Sequence, residues 1–337
     1  MVRAVRVVSP GVVEVVQRER RALGPGEVRL EIEAIGVCGS DVALMGGKHP
    51  YAVYPVTPGH EIGGRVVEAM PESGLSLGQR VTVRPLLTCG TCRACREGRY
   101  NHCPEVRVLG VHVDGGMTDE FTLPSALVFP VPEEVSAEEA AMVEPTAVAV
   151  HVCHRAGITR GSTVAILGTG VIGLLALQVA RARGARAILG VDRVPQRLAL
   201  ASELGASRVV DTRNEDVTAA GLQLCPEGFD VILETVGVEA TMAYAQDLAR
   251  RGGAIVLVAL PHGKAGFDFE PLYRKELTLR GTRLYADDFA EAVLLVASRR
   301  VSVKPLITHR LPLAQAGRAL ALPAERPGEA IKVMVSP

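Results

Sequence analysis

Thr163-Val164-Ala165-Ile166-Leu167-Gly168-Thr169-Gly170-Val171-Ile172-Gly173 is the stretch that decides the fold. Its first five residues have the apolar, β-branched character of a buried strand, and the apolar run after Gly173 reads as a helix. Between them stands G-x-G-x-x-G, with Val171 and Ile172 in the variable positions. Such a hexapeptide arises by chance, and a glycine-rich turn without a ligand is the alternative. The context favours a dinucleotide site: a strand enters, a helix leaves, and Asp192 closes the next strand 24 residues after Gly168. Gly168 permits the tight turn, Gly170 lets a pyrophosphate approach the backbone, and Gly173 seats the helix close to the sheet. The helix N-terminus offers unpaired N–H groups and a partial positive charge to the phosphates. Asp192 is expected to accept hydrogen bonds from the adenosine ribose and to repel a 2′-phosphate. NAD is therefore favoured over NADP, without exclusivity, because Arg193 follows directly and can pair with such a phosphate.

Outward from this motif, strand-like runs recur at 163–167, 187–191, 208–210, 230–233, 254–260 and 276–279, alternating with amphipathic helices. Gly184 and Gly205 suit the left-handed C-caps of two of these helices. Six strands in right-handed βαβ order predict a Rossmann fold, a doubly wound parallel sheet. Such a sheet binds its ligand beyond the carboxyl ends of its strands, so Val236, Val258 and Leu260 are expected on the cofactor side. The uncharged stretch 163–180 is long enough to cross a membrane, but its glycines divide it into strand, turn and helix.

Residues 1 to about 140 instead carry short Val-rich runs (4–8, 27–35, 64–68, 80–83) between Gly and Pro turns, which predicts an all-β unit. The tail, with a helix at 288–298 and a strand at 330–335, is assigned back to that unit. The expected division is 1–148, 149–286 and 287–337.

A chain of 337 residues with 48% hydrophobic composition can build more than one core. Lys+Arg and Asp+Glu both number 37, so no single-sign field favours nucleic acid or an anionic membrane. A small-molecule partner is expected. The N-terminus shows no secretory pattern, which reads as a cytoplasmic protein. There, seven cysteines are better explained as metal ligands or buried apolar groups than as disulfides. Arg far outnumbers Lys and Asn is scarce, which fits either a GC-rich genome or a thermophile.

Cys89-x2-Cys92-x2-Cys95-x7-Cys103 offers four thiolates at spacings that close a tetrahedron around a structural zinc. An iron–sulfur centre is the rival, since Cys103-Pro104 follows a C-x2-C-x2-C run, but the long last spacing counts against it. A second constellation is dispersed: Cys38 and Ser40 in Gly36-Val37-Cys38-Gly39-Ser40-Asp41, His60 and Glu61 in Pro58-Gly59-His60-Glu61, and Glu144 in Met142-Val143-Glu144-Pro145. No local spacing links these residues. His151, Cys153, His154 and Cys225 read as packing or surface groups.

Together these motifs, in this order and at these separations, resemble the medium-chain zinc alcohol dehydrogenases over essentially the whole chain. Glu144 stands where many of those enzymes place a cysteine, which is similar to the polyol, threonine and sugar-acid branch. The run Val108-Leu109-Gly110-Val111-His112-Val113-Asp114-Gly115-Gly116 resembles the sugar-acid 5-dehydrogenases in particular. The resemblance implies a GroES-like β-barrel as first domain. It also implies one catalytic zinc held by Cys38 and His60, with Glu61 and Glu144 sharing the remaining protein positions, besides the structural zinc. Zinc so held would act as a Lewis acid on a substrate hydroxyl whose carbon passes a hydride to NAD, with Ser40 relaying the proton. Many relatives carry a histidine five residues after the ligand cysteine. Here that residue is Ala43, and His49 is the candidate for the outer end of the relay. The implied function is oxidation of a secondary alcohol, a polyol or sugar acid first, then a butanediol, L-threonine or a simple alcohol. A catalytically silent nucleotide-sensing relative is the alternative from another class. Homodimers or homotetramers are the implied assemblies.

Overall fold

A computed structural model describes residues 1–259 and 266–337, and the chain divides into two compact units. The first comprises 1–144, 289–298 and 303–337, and the second 145–288 and 299–302.

The first unit is mainly antiparallel β. A hairpin of β1 (Val2–Ser9) and β2 (Val12–Arg18) stands beside a larger sheet built on β3 (Glu27–Val37). Helix α1 (Gly39–Met45) follows, then β4 (Glu61–Ala69), β5 (Arg80–Val83), and the short antiparallel pair β6 (Leu86–Leu87) and β7 (Arg107–Val108) with α2 (Arg93–Arg96) between them. Strands β8 (Glu120–Pro124) and β9 (Val128–Pro130) pair with β3 and β5. Helices α3 (Ala137–Ala141) and α4 (Val143–Ala156) lead to the boundary, which falls inside the first turn of α4.

In the second unit, β10 (Thr163–Leu167), β11 (Ala187–Asp192), β12 (Arg208–Asp211), β13 (Phe229–Glu234), β14 (Ala249–Leu257) and β15 (Thr278–Gly281) form one parallel sheet. Its order, β12-β11-β10-β13-β14-β15, is that of a doubly wound Rossmann sheet with the switch point beside β10. The connecting helices are α5 (Val171–Ala182), α6 (Pro195–Glu203), α7 (Val217–Leu224), α8 (Glu239–Leu248) and α9 (Phe269–Arg274). Leu167, Leu189, Val191, Phe229, Ile232 and Ile255 meet in its core, which explains the near-continuous apolar reading of these strands. Strand β14 ends at Leu257, short of the expected 260, and Leu260 lies outside the described residues. Strand β15 starts two residues later than expected, at Thr278, where its register with Ala254 of β14 begins.

The chain then returns to the first unit. After α10 (Phe289–Ala297), β16 (Ile307–Pro312), α11 (Ala316–Glu325) and β17 (Lys332–Ser336) join the larger sheet, where β17 pairs antiparallel with β3. Leu313, Leu320, Val333 and Val335 share one apolar core with Leu30, Ile35 and Ile62. The unit therefore has no complete core without its tail. The barrel-like first unit is the GroES-like fold.

At the end of the second unit, Asp288 joins two histidines of α4. Its carboxylate oxygens lie 2.7 Å from His151 Nδ1 and 2.5 Å from His154 Nδ1, and it also accepts the Ala286 N–H. Burial opposes the charge on Asp288, but these bonds outweigh it and hold the carboxyl down at about 2. A folded-state value below the unfolded one means stability that is present above about pH 4 and lost as the pH falls toward 2. Asp288→Asn should therefore cost about 2 kcal/mol at pH 7. In urea unfolding at a series of pH values, the gap between wild type and variant should close between about pH 4 and 2.

Candidate active site and metal centres

Cys38 ends β3 and caps the start of α1, while His60 and Glu61 stand where β4 begins. Because β3 and β4 pair in register, with Gly36 opposite Glu61, three residues remote in sequence converge. One ligand atom each from Cys38, His60 and Glu61 lie within 4.8 Å of one another. Glu144 is buried nearby and its charge acts on His60, although it stands outside that three-residue group. Ser40 Oγ lies 3.4 Å from His60 Nε2, on the ligand side of the ring.

Two residues that the motifs do not reveal hold this arrangement. Asp41 is fully buried: its Oδ2 accepts the Cys38 N–H at 2.9 Å, its Oδ1 accepts the Gly59 N–H, and Oδ1 stands 3.7 Å from His60 Nδ1. A carboxylate behind a histidine favours its ring electrostatically, and here the Asp41 hydrogen bonds go to the backbone on either side of the ligand set. Lys332, buried on β17, directs Nζ to both Glu61 oxygens at 2.6 Å and to the Val37 carbonyl at 3.1 Å. Burial disfavours its charge, but Glu61 more than offsets this and raises the ammonium above its ordinary value. Gly36 makes room for the pair, since a Cβ there would fall 1.9 Å from Glu61 Oε2. The Cys-x2-Asp spacing and a lone lysine in an apolar strand were the available signals.

The donor set suits a cation. Cys38 as thiolate, Asp41, Glu61 and Glu144 contribute four negative charges in a buried region, and Lys332 one positive charge. Buried charge of one sign is unfavourable unless something offsets it, and a divalent ion would offset two of the three in excess. The same field acts on His60: burial opposes its protonation, but Asp41 and Cys38 hold it well above its ordinary value. His60 Nδ1 is buried without a hydrogen bond. These residues fit a catalytic zinc with an open position.

The loop carrying His60 is braced from behind. Gly115, Gly116 and Met117 donate their N–H groups to the carbonyls of Thr57, Gly59 and Pro58 at 2.7 to 3.0 Å. The contact needs glycine, because a Cβ on Gly115 would lie 2.2 Å from Gly59 O. Asp114 adds a bond to the Thr57 N–H at 2.8 Å and pairs with Arg18. His49 is half-buried, and its N–H donates to the carbonyl of Ala43.

The four cysteines of the other motif surround α2, with ligand atoms within 4.8 Å of one another. Amide groups point at their sulfurs, Cys92 N–H to Cys89 at 3.3 Å and Cys95 N–H to Cys92 at 3.5 Å. The amide from Cys92 and its neighbours pull the Cys89 thiol down to about 6. Burial pushes the Cys95 thiol up to about 11, so the fit to a closed structural zinc rests on four converging sulfurs.

In the second unit, Gly168 has φ of +99° and Gly170 caps α5. A Cβ on Gly173 would fall 2.0 Å from Gly168 O, whereas Gly170 faces open space apart from Arg197, 3.9 Å away. Val171 and Ile172 are half-buried in the first turn of α5. Asp192 ends β11, as expected, but its carboxylate also has a task within the chain. One oxygen accepts Thr169 N–H and Oγ1, and the other accepts the N–H groups of Arg193 and Val194. Arg193 is exposed, while the half-buried Arg197 places Nη1 3.8 Å from Asp192. At the end of β13, the carboxylate of buried Glu234 accepts the N–H groups of Val236 and Gly237, and its carbonyl accepts that of Val258. Val236 and Val258 thus stand at the carboxyl edge of the sheet.

Residues 24–133 match the family model for the alcohol dehydrogenase GroES-like domain, and 171–298 match that for zinc-binding dehydrogenases. L-Idonate 5-dehydrogenase of Vitis vinifera is 36% identical over 324 residues, covering 93% of this chain and 88% of that protein. Sorbitol dehydrogenase of Bacillus subtilis (strain 168) is 35% identical over 318 residues, covering 92% and 90%. Among solved structures, a protein of Sinorhizobium meliloti 1021 bound to NADP has a TM-score of 0.94 at 36% identity, covering 100% of this chain and 99% of that one.

Asp41 touches no ligand position and acts through its neighbours. Asp41→Asn should weaken zinc binding at the Cys38 site by about 10- to 100-fold. Chelator competition should detect that loss while the zinc at Cys89, Cys92, Cys95 and Cys103 stays in place.

Proposed function

The chain belongs to the zinc-binding alcohol dehydrogenases, and from that premise we propose that it interconverts a secondary alcohol of a polyol or sugar acid and its ketone, with NAD as the hydride partner. It is an oxidoreductase that depends on zinc and a nicotinamide dinucleotide. The observation that carries the reading is the convergence of Cys38, His60 and Glu61 beside the Ser40 hydroxyl. Glu144, and relatives that act on idonate and sorbitol, support the polyol and sugar-acid class. A silent nucleotide-sensing protein would have no use for an open metal site, and that alternative is not favoured.

Cys38 and His60 would hold the catalytic zinc, and Glu61 and Glu144 would provide the remaining protein donors. When bound, zinc supplies a Lewis acid that brings the pKa of a hydroxyl toward about 7. Ser40 would take the substrate proton at Oγ as it releases its own toward solvent, and His49, whose N–H is anchored on Ala43, is the candidate for the outer end of that path. Asp41 holds the backbone on both sides of the site, at Cys38 and Gly59, and Lys332 holds Glu61 at a fixed place. In the second unit, Gly168, Gly170 and Gly173 shape the pyrophosphate cradle, and Asp192 and Arg193 stand at the ribose end.

No helix among the described residues is long and apolar enough to cross a membrane. Seven free cysteines support a cytoplasmic location. Among the described residues the exposed strand β15 pairs only with β14, and its other edge is offered for a homodimer or homotetramer.

Cofactor reduction across polyols, sugar acids, diols, L-threonine and simple alcohols tests the reading, with turnover expected first among polyols and sugar acids. Ser40→Ala should lower the rate by about 10² to 10⁴ while zinc remains bound. Turnover confined to primary alcohols would reject the proposed class.

Cofactor choice gives a second test. A 2′-phosphate beside Asp192 meets a carboxylate, and Arg193 and Arg197 offset only part of the repulsion. NAD should exceed NADP by about 10² in kcat/KM. Asp192→Asn, which keeps an acceptor for the turn and removes the charge, should narrow that ratio. An unchanged ratio would make Asp192 a brace alone.

A further inference from the structure

The parallel sheet of the second unit has a concavity at its other end. Where β10, β13, β14 and β15 begin, a cavity of about 440 Å³ is lined by Arg160, Ser162, Asp230, Arg250, Thr278 and Arg280, among others. Three guanidinium groups face one carboxylate. That carboxylate is spent within the chain: one Asp230 oxygen accepts Thr163 N–H and Oγ1 at 2.7 and 2.8 Å, and the other accepts Arg250 Nε at 2.6 Å. Arg280 donates one N–H to the Arg155 carbonyl at 2.8 Å and has no carboxylate partner among the described residues. Arg160 makes no hydrogen bond or ion pair among the described residues. Ser162 Oγ accepts the Thr159 N–H at 3.1 Å, which leaves its own O–H to donate into the cavity.

We propose that this cavity binds a small polyvalent oxyanion of the phosphate class. Two positive charges stand in excess over Asp230, and both belong to guanidinium forks, which stay charged at any physiological pH and match phosphate oxygens two at a time. The volume admits a diphosphate or a phosphorylated metabolite. The site is separate from the dinucleotide cradle: Gly168 follows the carboxyl end of β10, the cavity lies at its amino end, and five residues of strand span about 16 Å. An anion here does not compete with the cofactor phosphates. Thr278 and Arg280 belong to β15, so the bound anion would tie the edge strand to the loop before β10 and order both.

Inorganic pyrophosphate is the probe, titrated calorimetrically at low ionic strength into protein saturated with its reduced nicotinamide cofactor, so that the glycine cradle is already filled. One pyrophosphate per chain should bind, with affinity falling as salt rises. The Arg160→Gln, Arg280→Gln double variant should lose about tenfold or more in pyrophosphate affinity while cofactor affinity is unchanged. Lysine at both positions should retain most of it. Binding of equal strength in the glutamine double variant overturns the proposal. So does a wild type that responds to pyrophosphate no more than to sodium chloride of the same ionic strength.

Discussion

The bond from Lys332 Nζ to both oxygens of Glu61 is the constraint on which the first unit turns. It joins a residue six from the chain end to a residue on the fourth strand, through a region where the other ionised groups are acidic. The pairing of β17 with β3, with Val333 opposite Val37, delivers the lysine to that spot. Without the ammonium, Glu61 would be a buried carboxylate beside a thiolate and two further carboxylates. Breaking a buried pair in that way is worth about 3–5 kcal/mol, because a charge is left uncompensated. The tail therefore has an electrostatic task at the site as well as an apolar one in the core. Its ammonium offsets one of the four negative charges that crowd around His60.

What was legible in the sequence follows from how far each signal reaches. The glycine motif and the strand and helix alternation are local patterns, and the doubly wound parallel sheet and its six strands follow from them, while the structure supplies their order. The four-cysteine lobe is local as well. Cys38, His60, Glu61 and Glu144 share no spacing, and only the resemblance joined them before the register of β3 with β4 did so in space. Asp41 and Lys332 escaped notice for a physical reason: each acts on another side chain. A helix-start aspartate reads as a surface cap, and a lysine in a strand reads as the solvent face. Lys332 is instead turned inward, against the usual alternation, because Glu61 and the Val37 carbonyl receive it there. Strand ends were the least legible feature, as β14 and β15 show, since register with a neighbour sets them.

Asp192 shows how one residue can carry two meanings. Its place at the end of β11 is read from spacing, and the reading assigns the carboxylate to the ribose. In the structure the same carboxylate gathers four donors from the glycine turn and from the start of the α6 approach. These bonds pin the second strand to the first loop, so the glycine cradle is preorganised before any nucleotide arrives. Preorganisation of this kind reduces the entropy lost on binding. The charge that braces the turn is also the charge a ribose hydroxyl or a 2′-phosphate would meet, and the two roles share one group.

The two metal centres divide along the same physical line. A closed site needs only four donors on a short flexible loop, because the metal itself organises them, and close spacing in sequence is the natural solution. An open site must keep one position free while its ligands hold still, so their placement has to come from elements that the metal does not shape. Here the candidate ligands come from a strand end, a strand start and a helix start, and Asp41 braces Cys38, Lys332 holds Glu61, and the glycine contact of Gly59 with Gly115 supports the backbone beside His60. The run from Val108 to Gly116, which first stood out only as a resemblance, is part of that support. Two of its amides, with that of Met117 just after it, bind the backbone on which His60 sits, and no side chain larger than hydrogen fits at Gly115. Dispersed ligands in sequence are thus the consequence of an open coordination position, and the same requirement explains why the residues behind them are buried, charged and far away along the chain.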